Sequence, residues 1–126
     1  MKFKFLLVLL ALSAGAAQAN TISTTVRVDN APIYQPVQYV NFNVFNAGLF
    51  DISAKSGILD GLDPVIFLFT NPVSNANFIE SDNNDGPGNN SLISRNLGFG
   101  SYVLAVSTNV FTLEEAIGGY NNSVNF

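Results

Sequence analysis

The chain has no cysteine, no histidine and no tryptophan. Without cysteine there can be no disulfide and no thiolate nucleophile or ligand. Without histidine the commonest general base and the commonest transition-metal ligand are gone, and with them any Ser-His-Asp triad. Charge is also scarce, at 11% of residues, and basic charge scarcest, with five Lys and Arg against nine Asp and Glu. No basic patch exists to hold a nucleic acid backbone or an anionic membrane surface. No stretch of helical periodicity separates the apolar runs, which argues against a parallel βαβ sheet. No repeat of solenoid length is present.

What is there begins with a processing signal. Lys2 and Lys4 precede an apolar run, Phe5 to Leu12, and small residues lead to Ala17-Gln18-Ala19. A charged start, a short apolar stretch and an A-x-A site form a secretory leader. The run falls short of the ~20 apolar residues that span a bilayer. The expectation is residues 1–19 as signal peptide, cleavage after Ala19, and one exported domain over residues 20–126 with no membrane span. That domain keeps only Arg27, Lys55 and Arg95 against nine acids, a net charge of −6. A small cation is its natural ligand, and without disulfides its stability rests on one core.

The domain reads as a succession of short strands. Residues 20–30 are Thr-rich, with Ile22, Val26 and Val28 spaced by two, and predict a first strand. Asp29 to Pro36 reads as a connection. Val40, Phe42 and Val44 alternate with Asn41 and Asn43, which predicts a half-buried strand over 37–45. A turn at Asn46-Ala47-Gly48 leads to Leu49–Ala54, where Phe50, Ile52 and Ala54 share a face. These two strands are expected to pair as a hairpin. Turn signals at Ser56-Gly57 and Asp60-Gly61 precede Val65–Phe69, five apolar residues without a break. That run predicts a central strand buried on both faces, entered through Pro64.

Phe78-Ile79 is a short apolar pair in polar surroundings, and Ser81 to Asn90 is expected to be an exposed loop. Residues 91–97 and 101–108 predict two more strands, the latter with Tyr102, Leu104 and Val106 on one face and Val103 and Ala105 on the other. Phe111–Ile117 is the one helix-like piece. Thr112 stands as its N-cap, Glu115 completes a capping box, and Gly118-Gly119 closes it. About seven or eight short strands punctuated by turns indicate an all-β, jelly-roll-like antiparallel β-sandwich.

From Phe42 onward the motifs run in a definite order. They are Phe42-Asn43-Val44-Phe45, Phe50-Asp51-Ile52, Asp63-Pro64-Val65-Ile66-Phe67-Leu68-Phe69, Asn83-Asn84-Asp85-Gly86, Asn90-Ser91-Leu92-Ile93 and Gly100-Ser101-Tyr102-Val103-Leu104-Ala105-Val106. In this order the sequence resembles the bacterial pre-peptidase C-terminal (PPC-like) domains, in a branch of secreted proteins some of which carry a PEP-CTERM tail. The resemblance implies an exported jelly-roll-like sandwich serving as an accessory or binding module. It also implies calcium near the paired acids, as in the related collagen-binding domains. Two departures are Asn84, where the family often has Asp, and the lack of a sorting tail after Phe126. The family usually has one strand after the Gly-Tyr segment, so a final strand is expected to be missing here.

Two acidic groups are candidate metal ligands. Asp60 and Asp63 flank a Gly turn at the mouth of the central strand, and Asp82 and Asp85 lie in the polar loop with Glu80. Calcium takes several oxygen ligands, carboxylates and carbonyls alike, so both groups offer part of a shell. The alternatives are a plain β-turn for the first and a solvated loop for the second. An EF-hand register anchored on Gly86 puts Ser81 at position one and Leu92 at position twelve, so that motif fails. Paired carboxylates without a desolvating pocket do not make a glycosidase, and Lys55 beside Ser53 and Ser56 reads as a solvated turn lysine. The expectation is a non-enzymatic, secreted binding or structural module with calcium as its candidate ion. Its partner would be an extracellular protein or polysaccharide and not a nucleic acid. The alternative reading is an accessory C-terminal-type domain of a secreted hydrolase or peptidase, seen as a stand-alone or truncated chain.

Overall fold

The computed structural model describes residues 20–21, 35–56 and 62–122. The expected leader, most of the expected first strand, and Asp60 with its turn lie outside the described residues. The described elements are β1 (Gln35–Pro36), β2 (Gln38–Val44), β3 (Gly48–Ala54), β4 (Pro64–Thr70), β5 (Phe78–Asp82), β6 (Ser91–Leu97), β7 (Gly100–Thr108), α1 (Leu113–Gly118) and β8 (Tyr120–Asn121).

The pairing is that of one long hairpin rolled onto itself. β1 pairs with β8, β2 with β7, β3 with β6 and β4 with β5, each pair nested inside the last and each antiparallel. A further pairing of β4 with β7 closes a four-stranded sheet in the order β2-β7-β4-β5. β3 and β6 form the second layer. This rolled, nested arrangement is the jelly-roll-like sandwich the strand pattern predicts.

The expected hairpin of the second and third strands does not form. β2 and β3 are consecutive but lie in different sheets. The register explains the corner. Val44 stands opposite Gly100 and Gly48 opposite Leu97. Between these rungs one strand spends residues 45–47 and the other 98–99, so the ribbon bends from one sheet to the other. Two short corners side by side let both strands cross together.

Alternation builds the core from both sides of the larger sheet. Val44, Ile66, Leu68, Tyr102, Leu104 and Val106 face inward and meet Phe50, Ile93 and Leu97 of the second sheet. Phe42 stacks on Tyr102 within this layer, ring centroids 5.6 Å apart. The intervening residues Val65, Phe67, Phe69 and Ala105 face outward and would be wet in a simple sandwich. Instead Phe111 and Ala116 cover them, with Val37. Phe111 meets Phe67 edge-on at 5.2 Å, a favoured aromatic geometry. β4 is therefore buried on both faces, as its unbroken apolar run requires.

The small helix that closes this outer layer is set by its ends. The Thr112 hydroxyl accepts from the Glu115 N–H at 3.3 Å, and the Glu115 carboxylate accepts from the Thr112 N–H at 2.9 Å. That is the predicted capping box. Gly119 stops the helix with φ of +84°, a left-handed conformation that favours glycine. Asn121 of β8, fully buried, donates to the Ser107 hydroxyl at 3.0 Å and the Thr108 carbonyl at 2.8 Å.

Two elements differ from the sequence expectation. Gln35–Pro36, read as connection, forms the short strand β1. Ser81 and Asp82, read as loop, complete β5. β5 is an outermost strand of its sheet, so it needs only a little apolar surface, and its composition does not announce it. No helix among the described residues is long and apolar enough to cross a membrane.

Candidate functional site

The polar rim where β4 begins and β5 ends gathers the candidate ligands. Asp63 sits just before β4, fixed by the first residue after β7. Its carbonyl accepts from the Asn109 N–H at 2.8 Å and its Oδ2 from the Asn109 side-chain amide at 3.0 Å. Its other oxygen, Oδ1, faces the loop between β5 and β6. There the Asn84 amide ends 3.3 Å from Asp63 Oδ1 and 3.2 Å from the Asn83 carbonyl. The tip of that amide thus meets two oxygens and no donor. With nitrogen at the tip, Asn84 donates to both. In that orientation the amide ties Asp63 to the loop carbonyl through two hydrogen bonds.

The surroundings are rich in oxygen as well. The Asn83 side-chain Oδ1 is buried and without a hydrogen-bond partner among the described residues. The fully buried Ser91 hydroxyl lies 2.5 Å from the Pro64 carbonyl, 3.0 Å from that of Asp82 and 2.9 Å from that of Asn83. A hydroxyl has one hydrogen to give, so it satisfies one of these three acceptors at a time. The buried Asn83 Oδ1 is the unpaired acceptor among the described residues, and such a group costs free energy unless a cation or water reaches it.

The second acidic group is partly structural. Asp82 Oδ2 accepts from the Leu92 N–H at 2.7 Å and the Asp85 N–H at 3.1 Å. It thereby ties the start of β6 and closes the loop's first turn. Asp85 projects outward beside it. The neighbouring Asp82 charge, together with their shared hydrogen bond, pushes the Asp85 carboxyl above its usual range. Negative charge is therefore crowded here at neutral pH, and a bound cation would relieve it. Gly86 makes the loop possible. Its N–H donates to the Asn90 carbonyl at 2.9 Å, and a Cβ at this position would come within 2.7 Å of that same oxygen.

The rim brings Asp82 and Asp85 together and joins Asp63 to the loop through Asn84. Asp60 lies outside the described residues. No three carboxylates cluster as a ready-made metal site among the described residues. The polar side chains that meet Asp63 and the loop carbonyls are instead those of Asn84 and Ser91, beside the buried Asn83, which an acid-based search of the sequence passes over. Asn84 stands where the resembled family often carries Asp, and its amide reaches Asp63 as a hydrogen-bond donor. The only sequence signal for these residues was the polar N-N-D-G run itself.

A shallow open depression beside α1 is lined by Asn75, Thr112, Leu113, Glu114 and Ile117. Thr112 is committed to the helix cap, which leaves Glu114 as its single ionisable group. Comparison with protein-family models, with curated proteins and with solved structures finds no match to this chain.

Proposed function

We propose that this chain is an exported, non-catalytic β-sandwich domain of PPC-like type that serves as a binding or structural module and is steadied by calcium. The observation that carries the calcium reading is the meeting of Asp63 with the loop after β5. There the Asn84 amide reaches both Asp63 Oδ1, at 3.3 Å, and the Asn83 carbonyl, at 3.2 Å. Asp60, three residues earlier, and the Asp82–Asp85 pair add carboxylates to the same reading. All are hard oxygen donors of the kind calcium takes. The ion would neutralise crowded acids and lock the entry of β4 to the loop that links β5 and β6. The binding-module reading rests on the leader pattern, the ordered PPC-like motifs, and a site chemistry suited to holding an ion rather than moving a proton.

The test is thermal melting of the purified chain in excess EDTA and across a calcium titration. An ion at 100 times its Kd adds ~2.7 kcal/mol. For a domain of this size the melting temperature should rise by roughly 10–20 °C. Asp63→Asn should abolish most of the rise. An unchanged melting temperature in millimolar calcium would refute the calcium reading and leave Asp63 as a turn residue bound to Asn109.

A further inference from the structure

The outer face of β2 is unlike the rest of the sheet's outer surface. Val40, Phe42 and Val44 point into the inner core. Alternation therefore sends Tyr39, Asn41 and Asn43 outward, and Phe45 follows at the corner; all four are exposed. α1 and Phe111 cover this side of the sheet over β4 and β7, and β2 meets the helix at Tyr39, whose hydroxyl donates to the Ala116 carbonyl. From Asn41 onward the face is open among the described residues. On the neighbouring β7, Ser101 stands opposite Asn43, and Phe99 sits at the corner just beyond the Gly100–Val44 rung. Phe45 and Phe99 are 75% and 79% exposed, the two most exposed large apolar side chains described.

We propose that this strip, Tyr39 to Phe45 with Phe99 and Ser101 beside it, is a docking platform for a linear, uncharged polysaccharide. The proposal rests on the reading of the domain as a non-catalytic binding module and assigns that module a ligand class and a place. Three features choose the occupant. The strip sets two amides, Asn41 and Asn43, between aromatic rings at its ends, Tyr39 and Phe45. A sugar ring presents a face of C–H groups that stacks on the negative face of an aromatic ring, and its hydroxyls bond to amides at the edge. Ser101 donates to Asn43 Oδ1 at 2.7 Å, which fixes that amide and leaves its N–H₂ group for a partner.

Charge is the second feature. No residue from Gln38 to Phe50 or from Asn96 to Leu113 is charged, in a chain of formal net charge −4. A polyanion would be repelled by the molecule as a whole and would find no counter-charge on the strip. A neutral polymer meets neither obstacle. A bilayer is a poorer match, because burying the central Asn41 and Asn43 amides in hydrocarbon leaves their hydrogen bonds unmade. The third feature is length. Six residue steps of strand extend about 20 Å, enough for several sugar units in a row.

The experiment is native electrophoresis of the full chain through gels containing hydroxyethylcellulose, galactomannan or xyloglucan, with alginate as the charged control. Mobility should fall in at least one neutral gel and not in alginate. Phe45→Ala combined with Phe99→Ala should weaken the interaction about tenfold or more, given two lost stacking contacts. Both side chains are solvent-exposed, so the double variant should melt like the parent, and Asn43→Ala provides a second, independent reduction. Unretarded migration in every neutral gel, or retardation that the double variant preserves, overturns the proposal. So does binding to phosphatidylcholine vesicles, or self-association in sedimentation, that the double variant removes while neutral gels show nothing. Release of reducing ends from a retarding polysaccharide would refute the non-catalytic reading while leaving the platform in place.

Discussion

Adjacent residues of β4 test whether the sheet is truly buried on both sides. Leu68 and Phe69 are consecutive, each 0% exposed, and point to opposite faces. Leu68 packs in the inner layer, opposite Leu104 of β7. Phe69 packs in the outer layer that Phe111 and Ala116 complete, with Phe78 edge-on at 5.9 Å. Truncating a buried Leu to Ala removes its transfer free energy and leaves a cavity, at ~2–5 kcal/mol, and a buried Phe costs ~3–5 kcal/mol. Both variants should therefore fall well outside the surface range of about ±0.5 kcal/mol. At roughly 4–8 °C per kcal/mol for a domain near this size, each melting temperature should drop by about 10 °C or more. Urea unfolding of parent and variants gives the same quantity at room temperature, provided the slopes agree. If Phe69→Ala falls in the surface range while Leu68→Ala does not, the outer layer is not packed, and the assignment of residues 111–118 as its cover is wrong. If Leu68→Ala is also silent, the central strand is misplaced.

Two further outcomes follow from the loop and from the helix contact. Gly86→Ala places a methyl group 2.7 Å from the Asn90 carbonyl, so the loop must rearrange, at a cost of ~1–3 kcal/mol typical of overpacking. If the calcium reading holds, a calcium titration of this variant should also need more ion to reach the same melting temperature. Burial raises the pKa of Tyr39, whose hydroxyl donates to Ala116. Its contribution is thus fully present below the free-tyrosine value of ~10 and is lost as pH rises through the higher folded value. Melting from pH 8 to pH 11.5 should show a steeper loss for the parent than for Tyr39→Phe; equal slopes would refute a stabilising role for the protonated hydroxyl.

The local architecture was legible because each local signal had one physical reading. The apolar residues at 40, 42 and 44 could alternate only as a half-buried strand. Val65–Phe69 had no polar face to offer solvent. Thr112 and Glu115 carried both halves of a cap. Strand partners were not legible in the same way. Periodicity says which face of β2 is buried, but not whether β3 or β7 lies beside it, and the short corner at 45–47 resembles a hairpin turn. β5 was hidden because an edge strand of five residues can be mostly polar. At the rim, the acids marked the neighbourhood. The contact between Asp63 and Asn84, twenty-one positions apart, depends on the β4–β5 pairing that no local pattern reveals.

The nested pairing also dictates an order of assembly. The closest partners in sequence are β4 and β5, joined by residues 71–77. β3 must wait for β6, and β2 must wait for residues 100–106. A chain emerging from its amino terminus therefore carries the apolar face of β2 unpartnered until nearly the last strand has arrived. Closing each successive pair bridges a longer loop, which slows folding toward the millisecond-to-second range of topologies dominated by distant contacts. From the β4–β5 pair outward, each nested pair spans a longer stretch of chain than the one inside it, so the sheet's outermost contacts are the most distant in sequence.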